Sequence, residues 1–330
     1  MKKSLGFCLR LAISVVAIAA LCFALRGKLS EAFLILKRGL RWEWFWVGVA
    51  VYGAATALIS RRLQLVFKVQ EVKVTFLETF YLSFVGMFFT LFFPSAFGGD
   101  VAKGYFAYQY SGKKLGSLTG VLLDRLLGLT TLTGITLAAV TLYSQQLNFP
   151  AIRHLLYGLI GLLIFGSVFI TNHRFALKFQ FLWRLVPSAK LRQKLTELYH
   201  AIREYRNHKQ VLASCCIISV VAQFLFLAQN YFLARALGIQ ISVWPFFVLM
   251  PLVAFVSLAP SLSGLGVREA GFVFFFKSLI PTEQAFALTL LFDLIFYGCA
   301  LAGGLWFAVK GGLKKELLAG LEAVEKQENE

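Results

Sequence analysis

Long apolar blocks, parted by short basic stretches, make up this chain. A bilayer-spanning helix needs about twenty predominantly apolar residues, and most of the blocks meet that length. The pattern predicts a first helix over 5–25, then a segment over 26–41 with Arg26, Lys28, Lys37, Arg38 and Arg41 around apolar Ala32–Leu36. That second segment has the character of an interfacial amphipathic stretch. Trp42, Trp44 and Trp46 form an aromatic belt at the mouth of the next helix, which runs to Ser60 and is closed by Arg61-Arg62. An apolar run over 76–93 follows, then a short helix over 100–110 and a long one over 115–143. A turn around Asn148-Phe149-Pro150 leads to a helix over 152–170.

Residues 172–209 form the longest polar stretch. Leu191, Leu195, Leu198 and Ile202 recur there at helical spacing, so part of it is read as an amphipathic surface helix. Helices over 211–234, 244–259, 267–279 and 283–309 complete the series. Residues 1–310 are read as one transmembrane domain and 311–330 as a short cytoplasmic tail. The fold class expected is all-α, a polytopic integral membrane protein.

Two of the apolar blocks are broken in the same way. Pro94-Ser95-Ala96-Phe97-Gly98-Gly99-Asp100-Val101-Ala102-Lys103 interrupts the first. Pro260-Ser261-Leu262-Ser263-Gly264-Leu265-Gly266-Val267-Arg268-Glu269 interrupts the second. At one constant offset Pro94 meets Pro260, Ser95 meets Ser261, Gly98 meets Gly264 and Val101 meets Val267. Irregular backbone and charge at membrane depth are tolerated only where they line a cavity or are buried in protein.

Charge decides how these blocks cross. Lys and Arg outnumber Asp and Glu by 33 to 16, and the excess gathers at 61–74 and 172–209. Short basic loops stay cytoplasmic. If 76–112 crossed once, the basic stretch 172–209 would lie outside. If 76–112 and 244–280 each enter and return, from opposite faces, both basic stretches and both termini lie inside. The expectation is therefore six full spans plus two re-entrant helical hairpins in an inverted repeat, the arrangement transporters use to build a midplane site. Only the basic stretch 26–41 falls on the wrong side. Eight plain spans with two kinked helices is the alternative.

Composition agrees and closes off other classes. Hydrophobic residues make up 58% of the chain, 34 of its 330 residues are Phe, and the mean hydropathy is +0.73. The net charge of +17 is explained by cytoplasmic loops, so no nucleic-acid partner is expected. Lys2-Lys3 before the first apolar run resembles a secretory signal, but Arg10 interrupts the run and no small-x-small cleavage site precedes Arg26. A retained helix is the reading preferred. The five cysteines form no CxxC pair and the four histidines no HxxxH pair, so neither metal nor cofactor is expected.

The intramembrane charges remain: Asp100, Lys103, Asp124, Arg125, Arg268, Glu269 and Asp293. Each costs roughly 2.5–3.5 kcal/mol at a helix centre. One account has Asp124-Arg125 and Arg268-Glu269 pair locally and only fix helices. Side chains adjacent on a helix diverge, which favours partners on other elements. The other account makes a binding site. Gly98, Gly99, Gly264 and Gly266 let backbone N–H groups approach a ligand, and helix N-termini add partial positive charge. Lys103, Arg125 and Arg268 add full positive charge, which suits an anionic headgroup such as a phosphate. Asp100, Asp124, Glu269 and Asp293 balance the empty site or take up a proton.

The run Pro94–Lys103, then Leu122-Leu123-Asp124-Arg125-Leu126-Leu127-Gly128, then Ser263–Glu269 resembles the lysylphosphatidylglycerol synthase transmembrane family, also called the flippase-like domain family. The similarity covers about residues 5–310. The resemblance implies an integral membrane domain that, in two-domain synthases, moves an aminoacylated lipid between leaflets. Two departures stand out: Lys103 occupies a position where the family carries Arg, and residues 311–330 are too short for an aminoacyl-tRNA-using domain. The function expected is a lipid flippase or translocator of the cell (cytoplasmic) membrane, not an enzyme, moving an anionic lipid or lipid-linked intermediate. It could act as a homo-oligomer or beside a separate synthase. The alternatives are a non-catalytic membrane partner of a lipid-modifying synthase and a membrane enzyme acting on polyprenyl-phosphate sugars.

Overall fold

The computed structural model describes residues 39–92, 98–143, 205–257 and 266–309, together with Gly158 and Gly161, which are helical. The first helix, most of segment 26–41, both proline-bearing breaks with Gly264, the turn at 148–150, the rest of helix 152–170, most of the basic stretch and the tail lie outside the described residues.

All regular structure in the described residues is helical. In chain order it comprises α1 (Trp42–Val69), α2 (Phe76–Phe92), α3 (Gly98–Ser111), α4 (Lys114–Tyr143), a 3-10 turn (Tyr205–Asn207), α5 (Lys209–Ala236), α6 (Trp244–Val256), α7 (Val267–Phe276) and α8 (Thr282–Val309). Among the described residues, α1, α4, α5 and α8 are long and apolar enough to cross a membrane, and α2 and α6 are shorter apolar helices. At 1.5 Å per residue, 28 residues of α8 reach about 42 Å, whereas 17 residues of α2 reach about 25 Å.

Helix α1 corrects the sequence reading. It does not stop at Ser60 but runs on to Val69, so Arg61-Arg62 lies inside it. The apolar stripe continues through Leu63, Val66 and Phe67, all buried, and Arg62 is buried with them. A second correction concerns Gly98-Gly99. They do not break the chain; they open α3 and are both buried.

The contacts between connectors fix which helix ends lie together. Lys113, between α3 and α4, reaches Glu71, between α1 and α2, at 2.5 Å. The Lys113 ammonium holds the exposed Glu71 carboxyl below its ordinary range. The chain from Phe76 to Ser111 thus leaves one end of the bundle and returns to it. Tyr81, early in α2, packs on Trp306, late in α8 (ring centroids 5.0 Å), so the far end of α8 shares that end. At the opposite end, Phe246 of α6 packs on Phe276 of α7 with centroids 5.2 Å apart, so Trp244–Phe276 also leaves and returns. The Arg41 N–H donates to the Ala236 carbonyl there, at 2.9 Å. The two antiparallel pairs, α2–α3 and α6–α7, therefore enter the bundle from opposite ends, with α1, α4, α5 and α8 running past them.

The core divides accordingly. One cluster joins α6, α7 and α8 to the start of α1 and the end of α5 through Phe45, Leu233, Phe246, Phe272, Phe276 and Leu288. Another joins α2, α3 and the end of α8 through Leu82, Val85, Ala107 and Phe307. Gly303 and Gly304 of α8 sit directly against Phe84 and Phe88 of α2, where any Cβ would collide.

Candidate functional site

The free ends of α2–α3 and α6–α7 face one cavity. On the α2–α3 side, Gly99 lies against the Gly86 carbonyl and Thr90 Oγ1 so closely that no Cβ fits, bringing the two backbones together. The Thr90 hydroxyl beside Gly99 donates to the Gly86 carbonyl at 2.8 Å. The stem of Lys103 crosses the face of Gly86, with Cγ 3.0 Å from where a Cβ would stand. Here glycine is required by close approach rather than by backbone angle.

The cavity has a volume of about 350 Å³. Its polar lining comes from Gly99, Asp100 and Lys103 of α3, Arg125 of α4 and, on the opposite side, Arg268 of α7. Its apolar lining comes from Met250 and Val253 of α6, Phe272 of α7, and Phe292 and Phe296 of α8, the last two around Arg268. Five candidates from three separate stretches of the chain thus meet at one place, near the middle of the long helices. An amphiphile with a small charged head matches a cavity lined by both charged and apolar groups.

Each cation has a carboxylate nearby. Asp100 faces Lys103 at 3.5 Å and Arg125 at 3.3 Å. Arg268 pairs with Glu269 at 3.1 Å and donates to Asp293 of α8. Arg268 also reaches the Tyr297 hydroxyl at 3.4 Å. Its guanidinium lies 5.4 Å from the ring centre of Phe292 and 5.5 Å from that of Phe296, in cation–π contact with both. These rings are one turn apart on α8, so they hold the guanidinium beside Asp293. Its Nε is buried with no hydrogen-bond partner among the described residues.

Other candidates sit differently. Gly98 is buried behind the cavity wall. Gly266 is the N-cap of α7 with φ +79°, a left-handed conformation that suits glycine. Its N–H donates to Glu269 Oε2 at 2.5 Å. The start of α7 is therefore already occupied by its own carboxylate, which weakens the expectation that this N-terminus offers free positive charge. Asp124 departs from the site altogether. It turns to the back of α4, where Arg62 Nε donates to Asp124 Oδ1 at 2.7 Å and Arg62 Nη1 to Ser219 Oγ of α5 at 2.8 Å.

Sequence reasoning missed Arg62, Phe292 and Phe296. Arg62 looked like a helix end, and the two phenylalanines were indistinguishable from packing residues among so many. Their i, i+4 spacing around Asp293 was the available signal.

Among the described residues no cluster of three or more His, Cys, Asp or Glu side chains could hold a metal ion. No curated protein and no solved structure matches the chain. The family model described as Lysylphosphatidylglycerol synthase TM region matches residues 7–304. With nearly the whole chain matched, and with apolar helices long enough to cross a bilayer, this membrane protein belongs to the lysylphosphatidylglycerol synthase transmembrane family.

Proposed function

We propose that the chain is a translocator that moves an anionic phospholipid between the leaflets of the cytoplasmic membrane, and that it is not an enzyme. The observation that carries the reading is the convergence of Lys103, Arg125 and Arg268, from three helices, on one cavity that also has apolar lining. Structural ion pairs need no cavity; a headgroup does. Arg and Lys bind phosphate by charge-assisted hydrogen bonds, Arg as a bidentate fork.

The topology proposed has six full spans, with α2–α3 and α6–α7 as re-entrant hairpins from the inner and outer faces and both termini inside. Its support is the pair of contacts Glu71–Lys113 and Phe246–Phe276 at opposite bundle ends. A cavity between two such tips is reachable from either side by a small movement of one pair, the logic of alternating access. The lipid is the partner proposed, with a homo-oligomer or a separate synthase as further company in the membrane.

The test is leaflet transfer of fluorescent phosphatidylglycerol in reconstituted vesicles. Lys103→Ala, Arg125→Ala and Arg268→Ala are expected to abolish transfer while the protein still inserts. Normal rates in all three would refute the reading.

A further inference from the structure

The charges around the cavity are not spread evenly. On the α3–α4 side stand Lys103 and Arg125 with only Asp100 between them. On the α7–α8 side stands Arg268 with both Glu269 and Asp293. The first group has one excess positive charge and the second one excess negative charge. With every group ionised the whole is neutral, so a guest of one negative charge would leave a buried charge unmatched, at several kcal/mol.

The α7–α8 group contains the remedy. Arg268 Nη2 donates to both Glu269 Oε1 and Asp293 Oδ1, so two buried carboxyls share one guanidinium nitrogen. Two buried carboxylates on one cation leave a negative charge uncompensated, and a proton on one of them removes it. Glu269 is committed on both oxygens, Oε2 to the Gly266 N–H and Oε1 to Arg268. Asp293 has Oδ1 on Arg268, which leaves Asp293 as the member of the pair to carry the proton.

We infer that the site takes a second passenger, one proton bound on Asp293 beside Arg268, together with the anionic headgroup bound in the cavity by Lys103 and Arg125. The inference rests on the lipid reading of the same cavity. The proton neutralises the excess negative charge beside Arg268. The site then has one excess positive charge, on the side where a phosphodiester fits, and the loaded cavity is neutral. When the lipid leaves on the far side, the carboxyl releases the proton there. The charged and titratable groups beside Asp293 are Arg268 and Glu269 of α7 and Tyr297 of α8; Asp293 stands behind Arg268 and does not itself line the cavity, whose other charged groups are Asp100, Lys103 and Arg125. Tyr52 of α1 and Cys299 of α8 lie in the same electrostatic neighbourhood. Helices α2 and α6 bring only uncharged lining, Gly86, Met87 and Thr90 from α2 and Met250, Val253 and Ala254 from α6. A proton is favoured over a metal ion because Arg268 already fills the space between the two carboxyls.

The experiment uses the full chain in phosphatidylglycerol vesicles, with fluorescent phosphatidylglycerol as the transported probe, a pH-sensitive dye inside and the potential clamped. Inward transfer should quicken with external acid by up to about tenfold per pH unit, the slope of a one-proton requirement. Lipid and protons should enter one for one, with no dependence on potential. Asp293→Asn should make the rate independent of pH and make transfer carry charge, and Asp293→Glu should restore the pH dependence. Replacing sodium by choline should change nothing. Transfer that is indifferent to pH and carries charge in the unaltered protein, or that needs sodium, overturns the proton inference and leaves the lipid reading standing. No transfer at any pH overturns both.

Discussion

Arg62 of α1 donates from Nε to Asp124 Oδ1 of α4 at 2.7 Å, with side chains 5% and 10% exposed. The next residue on α4, Arg125, pairs with Asp100 of α3 at 3.3 Å in the cavity lining. Successive helical residues diverge by about 100°, so pinning Asp124 to α1 directs Arg125 toward α3. Gly128, one turn further, leaves room for the Arg62 guanidinium, whose nitrogens lie 3.5 Å from where a Cβ would stand.

Removing one partner of that pair leaves the other charge buried. Arg62→Ala and Asp124→Ala are each expected to destabilise the protein by about 3–5 kcal/mol, and the Arg62→Leu/Asp124→Leu double variant by less than either. Thermal unfolding in detergent measures all three. Additive losses in the double variant would contradict the pairing.

Three glycines should separate site effects from packing effects. Gly86→Ala places a methyl 3.0 Å from Lys103 Cγ and should impair transfer more than stability. Gly120→Ala places one 2.7 Å from Phe67 Cε1 and should lower stability by about 1–3 kcal/mol. Gly53 has nothing within 4 Å of the position a methyl would take, and Gly53→Ala should be neutral or slightly stabilising. Melting temperatures and transfer rates on the same preparations decide between these outcomes.

The aromatic clamp on Arg268 should matter in proportion to its two rings. Phe292→Leu and Phe296→Leu each remove one cation–π contact worth about 0.5–2 kcal/mol. Each is expected to slow transfer several-fold, and the double variant more than either. Unchanged rates in the double variant would show that the rings only fill space.

Sidedness gives an independent test of the opposed entry. In a background without native cysteines, the single variants Glu71→Cys and Lys113→Cys should react with an impermeant thiol reagent from one face. Gln240→Cys and Leu279→Cys should react from the other. Labelling of positions 71 and 113 from different faces would exclude re-entry of α2–α3.

Part of the candidate site was legible in the sequence because both breaks repeat one spacing of proline, serine, glycine and valine, and each ends in a pair of opposite charges. That repeat points to Gly99, Asp100, Lys103 and Arg268 as neighbours without any knowledge of how the helices pack. The partner of Asp124 was not legible. A double arginine after an apolar run reads as a membrane boundary, yet Leu63, Val66 and Phe67 carry the same buried stripe past it. A helix continues when its apolar face does, whatever charge lies beside it. The roles of Phe292 and Phe296 were hidden for the opposite reason. In a chain with 34 phenylalanines, no ring announces a cation until the fold brings one.

The pairing of Arg268 with Asp293 also constrains the order in which the molecule can be made. Arg268 emerges from the ribosome before α8, and its carboxylate partner lies near the middle of that helix. Until α8 is in place, α6–α7 holds a guanidinium at depth with only its chain neighbour Glu269 for company. The α6–α7 half of the cavity is thus completed only when α8 has been inserted. A nascent chain truncated before Thr282 should leave α6–α7 open to proteases that the finished protein resists.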